Sequence, residues 1–331
     1  MKMSIPVSVT NSKKLLVLVI TPGRQDFEDF HEIAKVIAKQ ASDILIHIVT
    51  PLDTCDVVPA YKWRLPTITV SLSQLGKFFP PRGRILENRQ VKKLDQYARF
   101  KACGIDTPYT DRFEFGQHYD EKTYGEFCVL KPLKLDQTSL GQAQLYRTAR
   151  LAGLKENQFA SGHFMKSGSV LVQQFIDTGK NPSYYRVLSL FEAPLYWARV
   201  FIPDERPDLS ADDSIIEATI INPNDLSVWD KFVMSEMWET QVDPSVVDFS
   251  SRIHAAFPNI PILGCDILKE EKTGRLYAIE INAGGNVWHF SSKIGRKWRD
   301  ELGGRKAMIA SYDPWLRAAD ALIKKTREFA S

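Results

Sequence analysis

Residues 262–286, ILGCDILKEEKTGRLYAIEINAGGN, read as two short strands joined by a charged turn, and no other stretch of the chain narrows its possible architecture as far. Side chains alternate across a strand, so Glu280 and Asn282 share one face while Tyr277, Ile279 and Ile281 take the other. A turn through Lys272, Thr273 and Gly274 returns Asp266 to their neighbourhood. Two carboxylates and an amide oxygen are hard ligands suited to Mg2+, which leaves its other positions to water and nucleotide phosphates. Taken alone, the pattern equally suits an edge hairpin whose polar side faces water. The remainder of the chain decides between them.

With 331 residues, 44% of them hydrophobic and 25% charged, the chain has material for two or three packed units. A net charge of +3 is too small to make nucleic acid or a membrane the main partner. One basic cluster, Arg82, Arg84, Arg89, Lys92, Lys93, Arg99 and Lys101, asks for a local explanation. Cys55, Cys103, Cys128 and Cys265 lack metal or redox spacing and mostly sit among apolar neighbours. They are predicted to be buried free thiols in a reducing, cytoplasmic setting. The apolar run 15–20 is shorter than a signal sequence or membrane span, so it reads as a buried strand.

That strand, the loop Thr21-Pro22-Gly23, a helix to about Gln40 and a strand over 44–49 open a parallel α/β layer. No glycine-rich fingerprint begins the helix, which argues against a dinucleotide site. The turn signal at Phe79-Pro80-Pro81-Arg82-Gly83 divides an N-terminal domain, 1–85, from a second, 86–331. A helix over 91–103 ends at Gly104, and Pro108 forces an extended exit. A strand over 127–131 stops at Pro132, a helix follows over 141–151, and an apolar strand covers 170–176. A strand pair is expected over 185–190 and 195–202, then a polar excursion over 203–243 carrying Trp229 and Trp238, a possible contact surface for a homo-oligomer. Trp315, Ala319, Leu322, Ile323 and Phe329 keep the spacing of an amphipathic closing helix.

In this order the pieces resemble the ATP-grasp superfamily, most closely the branch of glutathione synthetases and the ligases that add glutamate to a ribosomal protein. The likeness spans 88–286. Lys93, by its spacing to Gly104, is similar to the family's first nucleotide-contacting lysine, and Lys131 in FCVLKP to the second. Gln173, Gln174, Phe175 and Ile176 resemble the hinge that reads adenine, with Gln174 favoured as the side chain facing the base. Arg186 and Arg199 match strand arginines that hold phosphate or the acyl phosphate. Asp266, Glu280 and Asn282 match the metal signature. The resemblance implies an α/β fold, α+β in the lid: an N-terminal α/β domain, a small lid subdomain at about 110–175 and a central mixed sheet. It implies ATP and one or two Mg2+ ions, with Mn2+ a possible substitute. The activity implied is ATP-dependent carboxylate–amine ligation through an acyl phosphate, on small-molecule or peptide substrates. A small-molecule kinase and a non-catalytic nucleotide-binding scaffold are the alternatives.

Two stretches depart from the family pattern. The phosphate-covering loop, KLDQTSLG at 134–141, has one glycine, leaving Thr138 and Ser139 to help cradle phosphate. After Asn282 the chain runs AGGNVWH in place of a proline-containing turn, which makes Asn286 and His289 candidate substrate contacts. Trp288 beside them suits a core position.

Overall fold

The first apolar run forms β1 (Lys14–Val19), and it is apolar throughout because both of its faces are covered. Leu16 and Leu18 enter one core, Leu15, Val17 and Val19 another. The computed structural model describes residues 13–133, 143–201, 205–218, 238–239, 241–283, 288, 299–300 and 303–331. Helix α1 (Phe27–Gln40), capped by Asp26, links β1 to its parallel neighbour β2 (Ile44–Val49). With β3 (Thr67–Ser71) and β4 (Arg84–Glu87) they make a parallel sheet ordered β2-β1-β3-β4. Residue 85 therefore lies within a strand, and the first sheet runs on to Glu87. Gly83 enters β4 at φ 89°, packed against the Thr67 carbonyl so closely that a Cβ would collide with it. Helix α2 (Lys93–Ala102) follows and ends before Gly104, which holds φ 64°.

The next sheet is ordered β5-β8-β6-β7, from β5 (Thr110–Arg112), β6 (Phe127–Pro132), β7 (Gln144–Arg147) and β8 (Val170–Gln174), with the short helix α3 (Glu121–Tyr124) between β5 and β6. Cys128, Leu130, Tyr146 and Val172 join an aromatic core with Phe113, Tyr119, Tyr124 and Phe164. The helix expected over 141–151 is not there: β7 pairs with β6, and a 3-10 turn covers Thr148–Gly153. Tertiary pairing overrides the local preference, because Leu145 and Tyr146 bury into different cores on opposite faces of the sheet. Helix α4 (Asp213–Glu217) leans on β7 through Arg147, which bonds Asp213 at 3.0 Å.

The central sheet is ordered β11-β10-β9-β12-β13: β9 (Ser183–Leu190), β10 (Ala193–Phe201), β11 (Trp238–Glu239), β12 (Ile262–Lys269) and β13 (Leu276–Asn282). A mixed sheet is the expectation; every described pairing is antiparallel, as the tight β9–β10 and β12–β13 hairpins favour. One face packs on α2 and α5 (Pro244–Ala255) through Val187, Cys265, Ile267 and Ile253. The other meets α6 (Arg305–Tyr312) and α7 (Pro314–Phe329). Helix α7, apolar along one stripe as expected, lies between this sheet and the first one. Ala319 and Leu322 share a continuous core with Leu16 and Leu18 on one side and Leu188 and Ala198 on the other. Among the described residues no helix is long and apolar enough to cross a membrane. The cysteines are free, but only Cys128 and Cys265 are buried; Cys103, at the polar end of α2, is exposed and Cys55 is half-buried.

Candidate functional site

Strand β13 is the last in the central sheet, so one edge of its backbone has no strand partner among the described residues. Helix α2 covers that edge with Lys93, Gln96 and Tyr97, which share a face by their three- and four-residue spacing. The Gln96 amide accepts from the Ile281 N–H at 2.8 Å and donates to the Ile281 carbonyl at 3.2 Å. The Tyr97 hydroxyl donates to the Ile279 carbonyl at 2.9 Å. Past the helix, the Ala278 N–H donates to the Asp106 carbonyl and Thr107 donates to the Ala278 carbonyl, both at 2.8 Å. Buried edge groups need such partners. A bulge sits in this strand: Asp266 faces Glu280 while Ile267 faces Ala278, leaving Ile279 as the extra residue. The simple alternation expected for Tyr277, Ile279 and Ile281 therefore fails, and Ala278 and Ile281, three apart, both enter the core beneath α2.

Above the bulge the register aligns Asn282 with Gly264 and Glu280 with Asp266, placing Asp266, Glu280 and Asn282 on one face. Arg186 of β9 lies directly opposite Asp266. Its Nε donates to Oδ1 at 2.6 Å and its Nη2 to Oδ2 at 2.7 Å, a bidentate pair. The Asn282 Nδ2 donates to Oδ2 as well, at 3.1 Å. Asp266 is only 3% exposed, and burial raises its pKa against the opposing pull of Arg186. Burial disfavours the Arg186 charge too, but Asp266 more than compensates and its pKa rises. Lys93 Nζ stands 3.7 Å from Glu280. Among the described residues no three His, Cys, Asp or Glu gather as a metal cluster, so a cation here needs the Asn282 amide. As chemistry, this set of hard oxygen donors fits Mg2+. In this arrangement the positive charge beside it comes from Arg186 and Lys93.

Lys131 reaches the same neighbourhood from the other sheet. It donates to Gln173 Oε1 at 2.8 Å and to the Tyr97 hydroxyl at 3.2 Å. Gln173 Nε2 donates to the Tyr97 hydroxyl at 3.1 Å and to Thr110 at 2.7 Å. Tyr97 thus joins β6 and β8 to the bulge of β13. Burial pulls the Lys131 pKa down to about 8, although Glu280 opposes the fall.

The structure brings together Lys93, Lys131, Gln173, Arg186, Asp266, Glu280 and Asn282. It does not bring Arg199: Ala198 pairs with Arg186 and Arg199 with Tyr185, so the two arginines lie on opposite faces of the sheet. Arg199 bonds Ser183 and lies over the rings of Tyr185 and Phe201. Gln173 rather than Gln174 turns to Tyr97, since it shares a sheet face with Lys131; Gln174 accepts from the Tyr109 N–H at 3.3 Å. Phe175 packs beside Phe127 and Ile176 is buried. Thr138, Ser139, Asn286 and His289 lie outside the described residues. Trp288 is fully buried against Phe30, and its indole N–H donates to Asp29 at 2.9 Å. Sequence reasoning missed Gln96, Tyr97 and Thr110. The first two were findable, lying three and four residues beyond Lys93 on one helix face.

No family model matches the chain, and no curated protein matches it in sequence. Among solved structures it is similar to the Chryseobacterium gregarium RiPP-associated ATP-grasp ligase in complex with ADP and a leader and core peptide. That pair shares 11% identity at a TM-score of 0.50, covering 95% of this chain and 97% of the other. The D-cycloserine synthetase DcsG matches at 12% identity and TM-score 0.47, covering 94% and 99%. The D-alanine–D-alanine ligase from Bacillus anthracis matches at 14% and 0.44, covering 96% and 98%. At such identities the likeness speaks to architecture, and with its three sheets in this order the chain has the ATP-grasp fold.

Proposed function

We propose that the chain is an ATP-dependent ligase that activates a carboxylate as an acyl phosphate and joins it to an amine, releasing ADP and phosphate. The observation that carries this reading is the convergence of Lys93, Lys131 and Arg186 on Asp266, Glu280 and Asn282, from a helix and two sheets. Bond formation between a carboxylate and an amine in water is uphill. A carboxylate oxygen attacking the γ-phosphorus breaks its bond to the β-bridging oxygen and expels ADP. The amine then attacks the acyl carbon, loses a proton, and inorganic phosphate leaves. Such a sequence asks the protein mainly for alignment and for positive charge around the transferring oxygens. Lys131, held by Gln173 and Tyr97, would meet the phosphates from the lid side, Lys93 from α2 and Arg186 from the central sheet. Asp266, Glu280 and Asn282 would hold Mg2+, which supplies charge neutralisation on the β- and γ-phosphates when bound. Arg199 has no part in this proposal, because it lies on the far face.

The test has two readouts. Nucleotide with Mg2+ is expected to raise the melting temperature of the native chain, and Glu280→Gln to abolish that shift while leaving the unliganded melting curve in place; an unchanged shift in the variant would sink the site. Phosphate release that needs both an acid and an amine marks the ligase. A stable phosphorylated product would make the chain a kinase instead.

A further inference from the structure

Both Asp266 oxygens, in a site proposed to bind a divalent cation, already hold nitrogen donors. Three hydrogen bonds reach them, two from Arg186 and one from Asn282, out of about four lone-pair positions on a carboxylate. The Arg186 guanidinium is thus bound where a cation would compete for Asp266. We propose that Arg186 is the resident counter-cation of this site and that a divalent ion enters only together with a nucleotide. This rests on the nucleotide-binding reading above.

The argument is one of exchange. Asp266 is 3% exposed and the Arg186 side chain 21% exposed, so neither charge is left to water. Breaking a buried pair leaves the abandoned charge unpaired and strongly disfavoured. A bare cation arriving at Asp266 would displace Arg186 and leave its guanidinium without an anion. A nucleotide changes the balance, because its phosphate gives the displaced guanidinium a bidentate partner of suitable geometry. The two exchanges then close on each other: carboxylate passes from arginine to metal, arginine from carboxylate to phosphate. The Arg186 side chain keeps 21% of its surface exposed against 4% for Asp266, so the guanidinium is the partner that a phosphate could reach. Lys93 beside Glu280 has the same charge relation at a looser 3.7 Å, and its single ammonium can serve carboxylate and phosphate together. By linkage, nucleotide and metal must then tighten each other's binding by the same factor.

Mn2+ is the probe, followed with the full chain by electron paramagnetic resonance and by calorimetry, and the Mn2+ that ADP alone chelates is measured without protein and subtracted. The wild-type chain is expected to bind Mn2+ alone about 100-fold more weakly than Mn2+ with saturating ADP, the upper range of such couplings. Arg186→Gln is expected to gain nucleotide-independent Mn2+ binding, narrowing the gap to within about tenfold of unity on the same coupling scale. Equal Mn2+ affinity with and without ADP in the wild type would overturn the inference, and that measurement needs no variant. So would an Arg186→Gln chain that melts normally yet still takes Mn2+ only with ADP. Should that variant not fold, Arg186→Met removes the charge while keeping an apolar stem of similar reach, and bare Mn2+ affinity unchanged from wild type would count equally against the inference. Failure of the wild type to bind ADP at any Mn2+ concentration would instead remove the nucleotide reading itself.

Discussion

The edge of β13 and the cleft side of the lid sheet meet at Tyr97, yet they are held by different means. Along β13, α2 and the chain after it answer backbone groups of three strand residues, Ala278, Ile279 and Ile281, with Gln96, Tyr97, Asp106 and Thr107. The lid sheet is fixed by its own aromatic core and reaches Tyr97 with the side chains of Lys131 and Gln173. A strand whose backbone is stapled keeps Glu280 and Asn282 in register with Asp266 of β12. A lysine held by hydroxyl and amide can be handed to another partner. Rigidity for the acidic half and transferability for the basic half are what the proposed nucleotide site would require.

The comparison breaks most visibly at Gln96. Gln96→Leu strips partners from the N–H and carbonyl of Ile281, both buried, and should cost about 3 kcal/mol, seen as a lower urea midpoint with an unchanged slope. Tyr97→Phe should cost less, about 1 kcal/mol by the same measurement, because Gln173 still holds Lys131. Its sharper signature is binding: ATP affinity should fall about tenfold, equivalent to about 1.4 kcal/mol, while adenosine affinity stays level. Parallel losses for both ligands would show Tyr97 to be merely structural. The smallest effect is a pH dependence. With its pKa lowered to about 8, Lys131 is charged below that pH and loses its charge as pH rises through it, so ATP affinity should decline there. Lys131→Arg, which stays protonated, should flatten the decline. Stability runs the other way: the unfolded lysine keeps its proton up to about 10.4, so the Lys131 contribution to stability rises between about 8 and that value.

Much of this was legible in sequence because it rests on local pattern. The buried strand at 15–20, the end of α2 at Gly104, the hairpin through Gly274 and the stripe of α7 each follow from periodicity or turn chemistry. The trio Asp266, Glu280 and Asn282 was readable because alternation holds above the bulge. What escaped depends on strands distant in sequence. Nothing local announces the bulge at Ile279, which arises from pairing with β12. Arg186 and Arg199 look equivalent in sequence, and only the β9–β10 register separates their faces. The segment at 144–147 has ordinary helical residues, and β6 makes it a strand. Two members of the basic cluster serve packing: Arg99 donates to the Ala256 carbonyl at 2.7 Å, and Arg84 bonds Asn259 and covers Phe329.

Helix α7 bears on how the molecule can be divided. Its apolar stripe is wetted by neither sheet, since Ala319 and Leu322 fill a core to which β1 and β9 both contribute. A scission between Pro81 and Asn88 would therefore yield two fragments each exposing half of that interior, with the closing helix stranded on the second. The sheet β2-β1-β3-β4, which ends at Glu87, is a topological unit but not a separable one, and any recombination of this protein with a relative has to carry α1, β1 and α7 as a single inheritance.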